Sequence, residues 1–220
     1  MNADIQYVTS LHGNEFIPTL ALASQGIKQH VGNPRAIKEN KRWIDSDLNA
    51  AFGKESTDYE TTRAPELLKE IPEESTVIDF HTYAPNDSNK ANDAFVILVD
   101  PSMLPVALAT GIKHIVYMRH SIKKKNALIH HRNGISIETG SHGSPGAFDT
   151  TLAVVQNITS DSNLTVHDAV LLEVYGTTDK PGNYINFEFF KEDAFYPVLA
   201  GENSYSFTAM MARRVEKFES

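Results

Sequence analysis

From Ile5 to Ile158 the chain alternates short β-branched, apolar runs with stretches of helical periodicity, and this alternation restricts it to few folds. Ile5 to Leu11 reads as a strand and Phe16 to Gln29 as a helix. Thr76 to His81, Ala94 to Val99, Lys113 to Met118 and Gly134 to Glu138 read as further strands, the first two buried. Between them lie helical segments over Tyr59 to Ile71, where Pro65 predicts the start of the helix proper, over Met103 to Thr110 and over Phe148 to Ile158. Residues 32 to 58 are loop-rich, broken by Gly32-Asn33-Pro34 and Gly53. Strands separated by helices build a parallel or mixed sheet covered on both faces, an α/β/α sandwich.

After Thr159 the pattern changes. Ser160 to Asn163 is polar and linker-like, and Val166 to Tyr175, Ile185 to Phe190 and Tyr196 to Leu199 read as strands with no helix between them. Two units are expected: an α/β domain over residues 1–159 and a small β-rich C-terminal domain over 160–220. Met210 to Phe218 is amphipathic and reads as a short terminal helix.

A sheet of this kind gathers its binding groups at the carboxyl ends of its strands, and three polar residues sit there. His12 and Glu15 follow the first strand, at the corner into the first helix, and His81 ends another. On spacing alone Glu15 also reads as a helix-starting carboxylate that complements the dipole, and His81 as a polar strand cap. Together, two ligands close in sequence, a distant third and a position left for water form the pattern of a catalytic zinc site. The chain has no cysteine, so thiolate ligands and a Cys nucleophile are excluded and any metal is held by His, Asp and Glu. Glu138 ends the run Ile135-Ser136-Ile137 at the same open edge, where a carboxylate beside a metal can exchange protons with water and a leaving amine. The long polar loop around Arg42 and Asn49 needs a reason to be ordered, and Arg can bind a carboxylate or polarise a carbonyl.

These motifs resemble one family. His12-Gly13-Asn14-Glu15, the Asn33-Pro34 to Asp47-Leu48-Asn49 loop, Asp79-Phe80-His81, Ile137-Glu138-Thr139-Gly140 and Tyr196-Pro197-Val198 follow the order of the succinylglutamate desuccinylase/aspartoacylase family, relatives of the zinc carboxypeptidases. The resemblance runs from about Leu11 to Tyr205. It implies a three-layer α/β/α zinc-carboxypeptidase-like core with a mixed sheet, a small β-rich C-terminal domain, and hydrolysis of an N-acyl amide to a carboxylate and a free amine. It further implies one Zn²⁺ held by His12, Glu15 and His81, Glu138 as general base and later acid, and Arg42 at the oxyanion. Asn49 would then touch the substrate's α-carboxylate, and Tyr205 would contact substrate.

Two departures bear on the substrate. Family members usually carry Arg directly after Asp-Leu-Asn, and here that residue is Ala50. Loss of such a clamp on a desolvated carboxylate costs about 2–5 kcal/mol. The segment where aspartoacylase-like members place a Tyr and an Arg reads Ser121-Ile122-Lys123-Lys124-Lys125, either a solvated loop or the source of a replacement cation. A metallocarboxypeptidase acting on a peptide or cell-wall fragment, or a non-catalytic zinc-binding relative, remain alternatives. His142 is a candidate pocket residue; the other histidines, the pair His130-His131 included, lack ligand spacing, and Phe187, Phe189 and Phe190 read as core. The net charge of -8 argues against nucleic-acid and anionic-membrane partners. No run approaches the roughly 20 apolar residues of a membrane span, and the N-terminus has no signal pattern. The expectation is a cytoplasmic protein with a small acylated amine as substrate, with room left for homo-oligomers.

Overall fold

A computed structural model describes residues 4–84, 93–118, 125–160, 165–202 and 205–219. Among the described residues nine strands form one sheet. They are β1 (Ile5–Thr9), β2 (His30–Val31), β3 (Thr76–Tyr83), β4 (Phe95–Leu98), β5 (His114–Tyr117), β6 (Gly134–Ser141), β7 (Val170–Thr178), β8 (Tyr196–Val198) and β9 (Ala209–Val215). Their spatial order is β2-β1-β3-β6-β4-β5-β7-β9-β8. β2, β1, β3 and β6 run parallel; β4 pairs antiparallel with β6, β5 and β7 continue parallel to β4, and β9 and β8 close the sheet antiparallel.

The helices are α1 (Ile17–Ser24), α2 (Pro34–Lys38), α3 (Tyr59–Glu70), α4 (Leu104–Ala109) and α5 (Pro145–Thr159). The period-2 alternation of the strands sorts their side chains into two layers. Ile78, Phe80, Ile115, Ile135, Ile137 and Leu171 pack with Leu22 of α1, Val106 of α4 and Val154 of α5. On the opposite face Val8 and Val77 meet Leu67 of α3 and the loop residues Leu48 and Phe52, while Val116 and Leu172 meet Val198 and Met210. The sheet is therefore covered on both sides, as the alternation predicts.

Several boundaries differ from the sequence reading. The first helix ends at Ser24, because Gly26 takes a left-handed φ of 65° that turns the chain toward β2. α3 starts at Tyr59, not at Pro65: the Asp58 carboxylate caps it, accepting from Thr61 N at 2.7 Å, and the proline is carried inside the helix. Met210 to Phe218 is not a helix. All of it up to Val215 is β9, since the open backbone edge of β7 offers Ala-Met-Met-Ala a hydrogen-bonded partner that outweighs helix propensity. Ile185 to Phe190 is loop; Phe190 forms an isolated bridge with Phe195, Phe187 N donates to Pro197 O at 2.9 Å, and Asn186 Oδ1 accepts from Ala200 N at 2.8 Å. Phe187 stacks on His114 with ring centroids 4.2 Å apart, but Phe189 is exposed rather than core. Strand pairing runs without a break across residue 160, through the parallel pair of β5 and β7. Among the described residues no helix is long and apolar enough to cross a membrane.

Candidate metal centre and pocket

β1, β3 and β6 are parallel neighbours, so their carboxyl ends open on one crevice. The turn after β1 carries His12 and Glu15, β3 carries Asp79 and His81, and β6 carries Ser136 and Glu138. His81 pairs with Glu138 in register. Immediately beyond, Tyr83 pairs with Ser141, so β6 holds an extra residue there, and Gly140 absorbs it at φ 132°. This bulge breaks the ladder right after the Glu138 side chain is placed.

The Glu15 carboxylate lies between two imidazoles. Oε1 is 2.7 Å from His12 Nδ1, and Oε2 is 2.9 Å from His81 Nδ1. The far nitrogen of each ring is held by a second carboxylate: His12 Nε2 lies 2.8 Å from Asp47 Oδ1, and His81 Nε2 lies 2.8 Å from Asp79 Oδ2. Ser136 Oγ donates to that same Asp79 oxygen at 3.0 Å. His12, Glu15, Asp79 and His81 are all buried. One ligand atom from each of His12, Glu15 and His81 lies within 4.8 Å of the others. Carboxylates behind the imidazoles fix ring orientation and tautomer, the usual support of metal-ligating histidines. Burial alone raises a carboxyl pKa, but His12 and His81 hold Glu15 well below its ordinary value. Burial lowers an imidazole's pKa, yet Asp79 and Glu15 hold His81 well above its own. The space among these groups favours positive charge, and the donor set fits a zinc ion.

The loop after α2 is tied into this centre. Asn33 caps α2, its Oδ1 accepting from Ala36 N at 3.0 Å, and Pro34 occupies the first turn. A Cβ on Gly13 would lie 2.4–2.5 Å from backbone atoms of Ala36, Ile37 and Lys41, so only glycine allows the His12 corner to press against this loop. Gly13 N donates to Arg42 O at 2.9 Å. Glu60 on α3, fully buried, then organises the next residues: its carboxylate accepts from Ile44 N at 2.7 Å, from Asp45 N and Ser46 N at 3.0 Å, and from Asn33 Nδ2 at 3.0 Å. Arg42 Nη1 donates to Glu15 Oε1 at 2.7 Å, while its buried Nε has no partner. Asn49 Oδ1 accepts from Leu128 N at 3.1 Å and Nδ2 lies 3.5 Å from His81 Nε2, so its amide is oriented by the fold.

A pocket opens over the centre, lined on its polar side by His12, Glu15, Arg42, His81, Glu138 and Glu202. All seven residues singled out in the sequence converge here, since Asn49 and Tyr205 line it too. Tyr205 stacks on Phe207 with centroids 4.8 Å apart. Glu138 is buried and its Oε2 has no hydrogen-bond partner. Burial, with lesser contributions from Glu15 and Glu202, raises its pKa from 4.5 to about 8. Glu202, absent from the sequence reading, is buried and accepts from Ala84 N at 2.7 Å. Asp47, Asp79 and Glu60 also had no role assigned, although two of them stand inside the quoted motifs. His130 lines the pocket despite its lack of ligand spacing. His142 sits just behind it, with Nδ1 2.6 Å from Thr82 Oγ1. Ala50 and Lys125 do not line the pocket; Lys125 faces a neighbouring groove with His131 and Arg132, and Lys123 and Lys124 lie outside the described residues.

Comparison with known proteins gives the fold and the family. The solved succinylglutamate desuccinylase of Chromobacterium violaceum superposes with a TM-score of 0.74 at 14% identity, covering 100% of this chain and 86% of that one. Murine aminoacylase 3 gives 0.71 at 16% identity, covering 97% and 96%. An N-acyl-aromatic-L-amino acid amidohydrolase (carboxylate-forming) B of Danio rerio is 37% identical over 70 residues, 26% of this chain and only 22% of the relative's length. A family model described as the succinylglutamate desuccinylase/aspartoacylase catalytic domain matches residues 20–161. With that match spanning more than half its length, the chain belongs to the succinylglutamate desuccinylase/aspartoacylase family.

Proposed function

We propose that the protein is a zinc-dependent amidohydrolase that cleaves an N-acyl amino acid, or a related small amide, to a carboxylate and a free amine. The observation that carries this reading is the Glu15 carboxylate set between the Nδ1 atoms of His12 and His81, with an unpartnered Glu138 oxygen in the pocket above. His12, Glu15 and His81 would hold the ion. When bound, it supplies Lewis acidity toward a carbonyl oxygen and a water molecule.

The remaining chemistry belongs to the chain's own groups. Glu138 Oε2 accepts a proton from the attacking water and returns it to the departing nitrogen. An ordinary pKa of 4.5 would make this carboxylate a weak base; burial raises it to about 8 in the metal-free chain, and a cation held at the centre would draw it back toward the ionised form that accepts a proton. Arg42 presents a permanent positive charge beside Glu15 and would steady the oxyanion, usually the largest contribution in such sites. Asn49, oriented by Leu128, would contact the α-carboxylate of the substrate, and Tyr205 would contact substrate through its phenol.

Release of free amine from a panel of N-acyl amino acids tests the reading, run with and without chelator and with zinc content measured alongside. Chelator-sensitive hydrolysis is expected. A preparation that binds no transition metal, or turnover indifferent to its removal, would refute it.

A further inference from the structure

His142 lies outside both the ligand set and the pocket lining, yet it bonds to the chain beside two of the ligands. Just beyond β6, Ser144 N donates to Ser141 O at 3.1 Å and closes a tight turn. Within that turn His142 N donates to Tyr83 O at 3.0 Å, which holds it against β3. The half-buried ring then reaches two ways. Nδ1 lies 2.6 Å from the hydroxyl of Thr82, the residue after His81, and Nε2 lies 3.3 Å from the amide nitrogen of Asn14, the residue before Glu15. Burial lowers the pKa of this imidazole, so the ring is neutral and offers one donor and one acceptor. The two contacts use both: Asn14 Nδ2 donates to Nε2, and Nδ1–H donates to Thr82 Oγ1. Asn14 Oδ1 is buried with no partner, so among the described residues the ring supplies the hydrogen bond that orients this amide. From Thr82 the tie continues inward, since its backbone N–H donates to Glu15 Oε2 at 3.4 Å.

We propose that His142 is a positioning residue for the metal centre, tying the segment that carries His81 to the segment that carries Glu15 and so fixing the span across which an ion is held. In the metal-free chain Glu15 joins these segments itself, through its bonds to the two imidazoles. Ligation of a cation releases the protons that make such bonds, and the spacing then depends on groups outside the ligand set. Asp47 and Asp79 each orient one ring from behind, whereas His142 is bonded to both segments at once. A supporting contact of this kind is worth about 10–100-fold in metal affinity. The role rests on His12, Glu15 and His81 being the ligands.

The full chain, stripped with chelator, is titrated with zinc against a competing indicator dye, and the visible absorption of the Co²⁺-loaded protein is recorded. His142→Ala should bind zinc about tenfold more weakly and shift the Co²⁺ bands, with the metal-free melting temperature little changed. His142→Gln, whose amide also pairs a donor with an acceptor, should recover most of the affinity and the wild-type spectrum. Thr82→Val should weaken zinc binding by itself but cost nothing further when added to His142→Ala, and it decides the question if the histidine variants do not fold. Wild-type affinity and an unshifted spectrum in folded His142→Ala, unchanged affinity in Thr82→Val, or losses that add in the double variant would overturn the proposal. A zinc loss accounted for by a fall in metal-free stability would mark the ring as a fold contact and overturn it too. Wild type that takes up neither ion would instead remove the ligand assignment, and this role with it.

Discussion

Replacing Glu138 by Gln should stabilise the metal-free protein, and by an amount that grows with pH. The carboxyl is buried, one oxygen has no partner, and its pKa in the fold is about 8 against an ordinary 4.5. Between these values the folded chain keeps a proton that the unfolded chain has released, so stability falls as pH rises from 4.5 and levels off above about 8. At 1.36 kcal/mol for each pKa unit, the full difference is about 5 kcal/mol, and relaxation around the charge brings a realistic figure to about 2–3 kcal/mol. Glutamine keeps the shape and drops the titration. In chelator, wild type and Glu138→Gln should melt together near pH 5, and by pH 9 the variant should melt roughly 5–10 °C higher. Zinc should shrink the gap, because a nearby cation favours the ionised carboxylate. Thermal unfolding by circular dichroism at five pH values decides the matter. A melting difference that does not change from pH 5 to pH 9 would mean that Glu138 titrates like an exposed carboxylate, and the argument for its basicity would fail.

His81→Ala should abolish stoichiometric zinc binding, read by elemental analysis after dialysis; one zinc per chain in that variant would rule His81 out as a ligand. Asp79→Asn leaves the ligands in place and removes the anion behind His81 Nε2, so zinc affinity should fall about 10–100-fold in competition with a fluorescent chelator. Glu60→Gln sets an amide among three backbone donors and should cost about 1–3 kcal/mol in urea unfolding. Glu60→Asp, which keeps the charge but shortens the reach, should lose less, and equal losses would show that the four hydrogen bonds are not what matters there.

The metal centre was legible because its chemistry is concentrated in residue type and position. Two histidines and a glutamate at strand ends have few structural uses in common, and the parallel order β1-β3-β6 brings those ends together. The supporting carboxylates were harder to read. Asp79 looks like any polar residue in a strand until its face is known, and Glu60 carries no signal at all, since its partners are main-chain groups of a loop 14–16 residues away. The expected C-terminal helix fails for one physical reason. Met210 to Ala212 favours helix locally, and only the open edge of β7, far off in sequence, makes it a strand. The β-bulge at Gly140 was equally invisible, because a bulge is defined by the partner strand's count of residues.

Asp79 and His81 share one face of β3 through the strand's two-residue repeat, and Ser136 and Glu138 share the matching face of β6. A slip of either strand by a single step would turn those faces over and offer Phe80 or Ile137 to the crevice instead. Choosing the alignment of two neighbouring strands and assembling the reactive groups are thus one event. A misaligned product would be compact, well hydrogen-bonded and inert, so zinc content after dialysis, rather than circular dichroism, would tell correctly threaded molecules from their silent twins.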